Sequence, residues 1–332
     1  MRLVQYRDAA GARKVGLVTE DGNHLRPLQG VATVYELAEM AARQGGGLAR
    51  LAESKAGSER VDYLALLKEG RVLAPVDHAE PARFWITGTG LTHIGSAAAR
   101  NKMHEVTHGS AAPLSDSMKI FRMGIEGGKP GEGKIGVQPE WFYKGDGSCV
   151  RPTGSALPRP GYAKSGGEEP EIVGIYLIDA GGRPWRIGYS LGNEFSDHVT
   201  EAQNYLYLAH SKLRCCALGP ELFVGELPED VRGKTRVLRG GKLLWEADFL
   251  SGEKNMSHSI ANLEHHHFRY DMFRRPGDLH AHFFGAAELS YMAGVRTEPG
   301  DEFEIDVPFM GKPLRNRMEA ETDQGLVAVK AL

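Results

Sequence analysis

The sequence lacks any apolar run that approaches the roughly 20 residues needed to cross a bilayer, and we expect no contact with a membrane. Its N-terminal segment is charged and alternating, without the apolar stretch of a signal peptide. Only 3 cysteines are present, which excludes an even disulfide framework, and the adjacent Cys215 and Cys216 are unsuited to pairing with each other. These absences together indicate a protein of the reducing cytoplasm.

A basic excess is absent as well. Lys and Arg number 40 and Asp and Glu 43, for a formal net charge of −3. This near balance provides no electrostatic footprint for nucleic acid or an anionic membrane, so we expect a small-molecule substrate. With 41% hydrophobic residues in 332, the chain can bury a substantial core.

Turn-forming residues are abundant, with 42 glycines and 17 prolines, and this favours a strand-rich α+β fold. Residues 1–75 are expected to form a small N-terminal α+β domain, in which a meander precedes segments with helical spacing, and residues 76–332 a catalytic domain. Residues 109–135, rich in Gly, Pro and Ser, are expected to form a lid or an ordered excursion. A helix is predicted from Met256 to His267.

Three motifs invite functional readings that their context disfavours. His104-Glu105-Val106-Thr107-His108 matches a zinc-protease pattern, but Gly109 and Pro113 end any helix, so we favour the end of a surface helix. The stretch Gly88 to His93 lacks the third glycine of a dinucleotide-binding loop. Consecutive histidines on a helix point about 100° apart, so His265-His266-His267 is better explained by the helix C-terminal dipole.

The strongest local signal is a pair of carboxylates at the start of an apolar strand. Glu169 and Glu171 share one face if the segment is extended, and Glu194 follows a later strand. Carboxylates gathered beside a core repel each other unless a hard cation neutralises them, which predicts Mg²⁺, with Mn²⁺ or Ca²⁺ as substitutes. A solvated acidic surface is the alternative that the pair alone leaves open.

Lys212 lies in an otherwise apolar stretch, ahead of Gly219-Pro220. Burying an ammonium group without a partner is costly, so this lysine is a candidate for catalysis. A lysine that extends its charged end to solvent is the equally weighted alternative.

At these residues the chain resembles the fumarylacetoacetate hydrolase superfamily. That family has an E-x-E pair on one strand, here Glu169-Pro170-Glu171, and a later acidic turn, here Gly192 to Ser196 with Glu194 in place of the usual Asp. Further matches are Phe142-Tyr143-Lys144, Lys212 before Gly219-Pro220, Pro299-Gly300-Asp301 and Leu314-Arg315-Asn316. The resemblance runs in unbroken order over residues 80–318. It implies a mixed β-sandwich roll and magnesium-dependent chemistry on a small 2-keto acid.

Hydrolases and decarboxylases of that superfamily carry a Tyr-x-x-His-x-x-Glu lid whose His–Glu dyad activates water. If His93 takes the tyrosine position, Ser96 and Ala99 occupy the dyad positions. The chain is instead similar to the 2-keto-3-deoxy sugar-acid dehydratases of pentose catabolism. This resemblance implies that a 2-keto-3-deoxypentonate is converted to 2-oxoglutarate semialdehyde.

The resemblance also suggests roles for individual residues. Lys212 is expected to transfer a proton or hold an enolate, with His93 or a metal-bound water as the second proton carrier. The residues expected to bind the substrate are Thr92, Arg100, Lys144, Gly219 and Pro220. We also expect a homodimer or a higher homo-oligomer.

Two other functions stay open at this point. One is an acylpyruvate hydrolase or decarboxylase on the same fold, with His104 and Glu105 supplying the dyad. The other is a metal-dependent sugar-acid-binding protein without catalytic activity, which would leave its ligand unchanged.

Overall fold

The computed structural model describes residues 1–94 and 115–332, and in this part of the chain seventeen strands form two sheets. The motif His104 to His108 lies outside the described residues, as do Arg100 and the dyad positions Ser96 and Ala99. In neither described range is any helix long and apolar enough to cross a membrane.

The large sheet has twelve strands, numbered here in chain order: β1 (Arg2–Arg7), β2 (Arg13–Val18), β3 (His24–Pro27), β4 (Val61–Asp62), β5 (Phe84–Gly90), β6 (Glu140–Asp146), β7 (Val150–Arg151), β9 (Pro170–Ile178), β10 (Pro184–Asn193), β11 (Cys216–Leu218), β12 (Leu222–Phe223) and β15 (Leu279–Phe283). Its order is β4-β3-β2-β1-β12-β10-β9-β15-β5-β6, with β11 paired to β10 and β7. The predicted N-terminal meander thus continues the sheet that carries β9. A domain boundary near residue 75 stays a prediction.

The second sheet has five strands in the order β14-β13-β16-β17-β8: β8 (Ala156–Arg159), β13 (Val231–Arg239), β14 (Lys242–Ser251), β16 (Glu302–Asp306) and β17 (Leu314–Ala320). Gly240 and Gly241 connect β13 to β14 with φ of +57° and +76°. A tight hairpin of this kind needs positive φ at both positions, which glycine adopts without strain.

Helices pack around these sheets: α1 (Val34–Arg43), α2 (Leu48–Lys55), α3 (Tyr63–Lys68), α4 (Asp116–Gly127), α5 (His198–Gln203), α6 (Leu208–Lys212) and α7 (Ile260–Phe268). The segment 109–135, predicted to form a lid or an ordered excursion, includes α4, which Ser115 caps by accepting from the backbone N of Met118 at 3.3 Å. The predicted helix from Met256 begins only at Ile260. Ser259 caps it by accepting from the backbone N of Asn262.

Strand β9 is buried on both faces, which explains why its sequence is almost entirely apolar. Val173, Ile175 and Leu177 pack toward α1, whereas Ile172 packs toward the second sheet. Both faces of the strand are therefore buried, and every residue from Pro170 to Ile178 is in the interior. This rigid strand positions the acidic residues at its start.

The histidine triplet differs from its predicted role. His265 is exposed, but His266 and His267 are buried, and burial lowers the pKa of both. His267 points from α7 toward β15, and its Nε2 is 3.0 Å from Nδ1 of His280 on that strand. A charge–dipole explanation therefore fails for two of the three residues, which are part of the packed interior.

Candidate active site

Three carboxylates meet where β9 begins and β10 ends. Glu171 is the second residue of β9, Glu169 immediately precedes that strand, and Glu194 immediately follows β10. The strands are antiparallel, with Glu171 opposite Gly192, and the backbone N of Glu194 donates to the carbonyl of Glu169 at 3.0 Å. The strand pairing therefore brings residues that are distant in the sequence to one edge of the sheet.

The carboxylate oxygens of these residues converge. One oxygen from each of Glu169, Glu171 and Glu194 lies within 4.8 Å of the others. The three residues are 8%, 2% and 0% exposed, so water does little to screen their mutual repulsion. The structure thus brings together the acidic residues that the sequence singled out.

Two buried ammonium groups offset part of this charge. Lys212 Nζ is 2.5 Å from Glu169 Oε1 and 2.7 Å from Glu194 Oε2, and Lys144 Nζ is 2.6 Å from Glu194 Oε1. Burial acts to lower the pKa of Lys212, but attraction to Glu169 and Glu194 outweighs it and holds the pKa well above its ordinary value. Lys212 is therefore an internal cation of the cluster, not a lysine that extends to solvent.

Glu171 is the carboxyl group of the cluster whose charged form is most strongly disfavoured. Burial and repulsion from Glu194 and Glu169 raise its pKa well above the ordinary value, although the backbone N of Gly285 donates to its Oε2 at 2.6 Å. Burial also raises the pKa of Glu194 despite its two lysine partners. Three oxygen donors with more negative charge than the lysines supply fit a hard divalent cation such as Mg²⁺.

Glu169 has a different environment because it has two cationic or hydrogen-bonding partners. Burial acts to raise its pKa, but Lys212 and the buried His198 hold the pKa below its ordinary value. His198 Nε2 is 3.0 Å from Glu169 Oε1. His198 begins α5, which Asp197 caps by accepting from the backbone N of Thr200. The helix start thus fixes the orientation of the first acidic side chain.

A small cavity of about 50 Å³ opens onto the acidic cluster. Its described lining is Thr89, Gly90, Leu91, Glu140, Phe142, Glu169, Glu171, Lys212, Gly285, Ala286, Ala287, Leu289 and Met292. Glu140, at the start of β6, adds a buried carboxyl group from the neighbouring strand pair. A Cβ on Gly90 would lie 1.9 Å from Glu140 Oε1, so any larger residue would require this carboxyl group to shift.

Other residues predicted for the site lie outside this lining. Thr92 and His93 are both buried, and His93 Nε2 lies 2.9 Å from Ser251 Oγ. Burial lowers the pKa of His93 to about 3. Gly219 and Pro220 are buried where the backbone N of Gly219 donates to the carbonyl of Leu191 at 3.0 Å. Their assignments to catalysis and substrate binding stay predictions, as does that of Arg100 outside the described residues.

Lys144 is occupied by protein groups. Besides its ion pair with Glu194, its Nζ donates to the carbonyls of Phe195 at 2.7 Å and Lys212 at 3.0 Å. It therefore ties the turn after β10 to the end of α6. This geometry supports a role in holding the cluster together, while its predicted contact with substrate stays untested.

The sequence did not point to Glu140, Glu168 or His198. Each acquires its position through a contact between distant segments, such as the β5–β6 pairing that places Glu140 opposite Gly90. The segment from Glu140 to Asp146 has no regular alternation of polar and apolar residues that would have marked Glu140.

The fold places the chain in a known structural class. It has the strand-rich mixed fold of the fumarylacetoacetate hydrolase superfamily over nearly its whole length, as the sequence resemblance predicted. No family model matches the sequence.

Two curated proteins are similar in part of their sequence. A probable 2-keto-3-deoxyxylonate dehydratase of Haloferax volcanii is 36% identical over 96 residues, 28% of this chain and 30% of that protein. A 2-dehydro-3-deoxy-D-arabinonate dehydratase of Saccharolobus solfataricus is 24% identical over 196 residues, 56% of this chain and 57% of that protein. The chain therefore spans less than two thirds of either relative in these alignments.

Solved structures are similar over the whole chain. The apo form of a 2-keto-3-deoxy-D-arabinonate dehydratase has a TM-score of 0.70 and 19% identity, covering 97% of this chain and 100% of that one. The same coverage holds for its complex with magnesium and 2,5-dioxopentanoate, at a TM-score of 0.68 and 19% identity. A 5-carboxymethyl-2-hydroxymuconate delta-isomerase from Mycobacterium smegmatis has a TM-score of 0.59 and 16% identity, with coverage of 97% and 100%. The fold is thus shared by enzymes of different reactions, and the site must decide between them.

Proposed function

We propose that the protein is a magnesium-dependent dehydratase that converts a 2-keto-3-deoxypentonate to 2-oxoglutarate semialdehyde. The observation that carries this proposal is the pocket in which Glu169, Glu171 and Glu194 converge beside Lys212, with Glu140 on a further wall. The curated relatives support the substrate class by their names, as does the related dehydratase structure by its bound magnesium and 2,5-dioxopentanoate, a synonym of that semialdehyde.

The proposed metal ligands are the three converging glutamates. A magnesium ion held there would polarise the keto group of a 2-keto acid and stabilise the negative charge that develops when a C3 proton leaves. The dehydration then requires loss of the C4 hydroxyl as water. Tautomerisation of the resulting enone toward C5 gives the aldehyde of the product.

The protein supplies the groups that this chemistry needs around the substrate. Lys212, held by Glu169 and Glu194, places an ammonium charge in the pocket wall, where it can stabilise an enolate. Glu140 provides a carboxyl group on a different strand, suited to carrying the proton from C3 or to the leaving hydroxyl. We therefore assign Lys212 to charge stabilisation and Glu140 to proton transfer.

The sequence favours elimination over hydrolysis, because Ser96 and Ala99 stand at the positions expected for the His–Glu dyad. Cleavage of a carbon–carbon bond by water needs a base that activates the water, which is the role of that dyad. Elimination needs no attacking water. An acylpyruvate hydrolase that uses His104 and Glu105 is consequently the outcome against which the proposal is tested.

The test is to incubate the purified protein and Mg²⁺ with stereoisomers of 2-keto-3-deoxypentonate, a 2-keto-3-deoxyhexonate and an acylpyruvate, and to identify products by mass spectrometry. We expect a pentonate to lose one water with its carbon chain intact, and a chelator to stop the reaction reversibly. Release of pyruvate from the acylpyruvate alone would contradict the proposal. An unchanged panel with metal-dependent binding would instead indicate a binding protein. Cytoplasmic location and assembly as a homo-oligomer stay predictions from the sequence.

A further inference from the structure

One wall of the pocket is formed by apolar side chains from a single segment of the chain. Ala286, Ala287, Leu289 and Met292, which follow β15, all line the cavity, and none carries a strong hydrogen-bonding side chain. The polar side chains of the described lining come from other segments. The pocket therefore has a charged side, at the acidic cluster, and an apolar side. We call the side chains of Ala286, Ala287, Leu289 and Met292 the apolar wall.

The apolar wall is anchored at its start. The backbone N of Gly285 donates to Glu171 Oε2 at 2.6 Å. Gly285 has φ of +106°, and a Cβ at this position would lie 2.2 Å from Thr92 Oγ1. The chain can leave β15 along this path only with glycine here. The first residue of the segment is consequently fixed against the acidic cluster.

A second anchor lies near the end of the apolar wall. Glu168 is 0% exposed, and its two carboxylate oxygens both accept from Ser290, at 2.7 Å from the backbone N and 2.8 Å from Oγ. The ring of the next residue, Tyr291, lies 5.2 Å from the ring of His198, which contacts Glu169. Both ends of the segment are therefore tied to the residues that flank the acidic cluster.

We propose that the apolar wall sets the length of the carbon chain that the pocket accepts, with Leu289 and Met292 as specificity-determining residues and Glu168 as the positioning residue. This inference rests on the proposed function, because it assumes that the keto-acid end of the ligand faces the acidic cluster. Each added carbon then gains contact with the apolar wall, until the carbon chain fills the space between the acidic cluster and the wall. A wall anchored at both ends does not yield to a longer chain.

The size of the effect follows from the apolar contact. One methylene group more or less in a hydrophobic pocket changes discrimination by roughly 10- to 200-fold. Leu289 and Met292 are half-buried and face the cavity, so their truncation to alanine removes a contact surface without opening the protein core. The two substitutions should therefore change which ligands fit more than they change folding.

The test uses unreactive ligands, so that it is separate from turnover. Straight-chain 2-oxo acids from pyruvate to 2-oxooctanoate lack the C4 hydroxyl that dehydration removes, and their affinities are measured by calorimetry in saturating Mg²⁺. In the unaltered protein we expect affinity to rise with length and then fall. In Met292→Ala and Leu289→Ala the fall should move to longer acids, with the ratio of long-chain to short-chain affinity raised at least about tenfold. Met272→Ala, an exposed methionine outside the pocket, is the matched control.

The role of Glu168 has its own variants. In Glu168→Gln the amide can accept from the backbone N of Ser290 and donate to its Oγ, so the length profile should stay sharp. Glu168→Ala removes both bonds and should flatten the profile. Ser290→Ala keeps the backbone bond and should give an intermediate profile, which provides a readout even if Glu168→Ala fails to fold.

The outcomes separate this inference from the proposed function. An unchanged length profile in Met292→Ala and Leu289→Ala overturns the role of the apolar wall, even if the protein dehydrates pentonates. A shifted profile in a protein that dehydrates none of them supports the wall and counts against the dehydratase. A sharp, unaltered profile in both Glu168→Ala and Ser290→Ala overturns the positioning role of Glu168. Failure of all the acids to bind overturns the inference altogether.

Discussion

Two groups of buried titratable side chains lie at the large sheet and against it, and they differ in how burial is tolerated. The acidic cluster (Glu169, Glu171 and Glu194) gathers carboxyl groups beside two buried lysines. The histidine cluster (His267, His280 and His282) packs neutral rings between α7 and β15. The first cluster opens into a pocket, whereas the second is 0–1% exposed and is part of the interior.

Hydrogen bonds and stacking satisfy much of the histidine cluster. The Trp141 indole N–H can only donate, so Nδ1 of His267, 3.3 Å away, accepts, and its Nε2 donates to His280 Nδ1 at 3.0 Å. The rings of His267 and His282 stack at 4.7 Å. Burial lowers the pKa of His280 and of His282 to about 3, which keeps these rings uncharged. The comparison shows that perturbed titration alone does not identify an active site; uncompensated charge beside a cavity is the more informative sign.

The largest expected effect is on the acidic cluster itself. Glu171→Gln replaces a carboxylate that faces two others. We expect calorimetry to detect no Mg²⁺ binding to this variant, and product analysis to detect no turnover. Because burial and repulsion destabilise the charged form of Glu171, the metal-free variant should unfold at a urea concentration no lower than the unaltered protein. Glu319→Gln, an exposed substitution, is the control. Normal Mg²⁺ affinity in Glu171→Gln would mean that the metal site is elsewhere.

The next largest effect concerns the lysine that ties the cluster together. Lys144→Met removes the buried ion pair to Glu194 and the hydrogen bonds to the carbonyls of Phe195 and Lys212, and breaking a buried ion pair costs about 3–5 kcal/mol. Urea unfolding should therefore show a large loss in the free energy of unfolding. Lys242→Met at an exposed position should show little change. Equal stability of the two variants would assign Lys144 to the substrate, as the sequence predicted.

Lys212 should affect turnover more than substrate binding. In Lys212→Met we expect kcat to fall on the order of a hundredfold, because the ammonium that stabilises developing charge is lost. Steady-state kinetics with saturating Mg²⁺ will separate kcat from KM. A kcat near that of the unaltered protein would restrict Lys212 to packing.

The smallest effect distinguishes the neutral cluster from the charged one. Histidines of the unfolded chain bind protons below their ordinary pKa near 6.5, whereas His280 and His282 in the folded protein do so only at about 3. Stability is therefore present above the unfolded pKa and is lost as pH falls below it, by about 1.4 kcal/mol per pH unit for each histidine. His282→Gln should make this acid-side slope shallower by about one histidine in urea unfolding between about pH 7 and about pH 5. An unchanged slope would show that His282 is protonated in the folded protein.

The sequence could predict the parts of the site that depend on local pattern. Glu169 and Glu171 precede an apolar run, and alternation along a strand puts them on one face. Glu194, just beyond a later strand, and Lys212, within an otherwise apolar stretch, were also singled out by local pattern, and the family resemblance pointed to the same residues. Glu140 and Glu168 could not be found in this way, because their partners, Gly90 and Ser290, are brought to them by strand pairing and by the path of the chain after β15.

Errors in the predicted fold have equally local causes. The Gly, Pro and Ser content of residues 109–135 indicated a lid or an ordered excursion and did not reveal α4, which the serine cap at Ser115 and the apolar spacing within Asp116–Gly127 stabilise. The triplet His265 to His267 was explained by charge, because the sequence does not show which side of α7 faces β15. Burial decides the protonation of His267, and burial is a property of the assembled fold.

The most direct test of the central claim is a comparison of two substrates on the same protein. We predict that kcat/KM for dehydration of 2-keto-3-deoxypentonate exceeds that for pyruvate release from an acylpyruvate by at least about a hundredfold, which is about 3 kcal/mol of transition-state stabilisation. Both rates are measured with saturating Mg²⁺ and again after chelation, with products identified by mass spectrometry. Comparable rates on the two substrates, both lost in His104→Ala combined with Glu105→Ala, would contradict the dehydratase and identify a hydrolase.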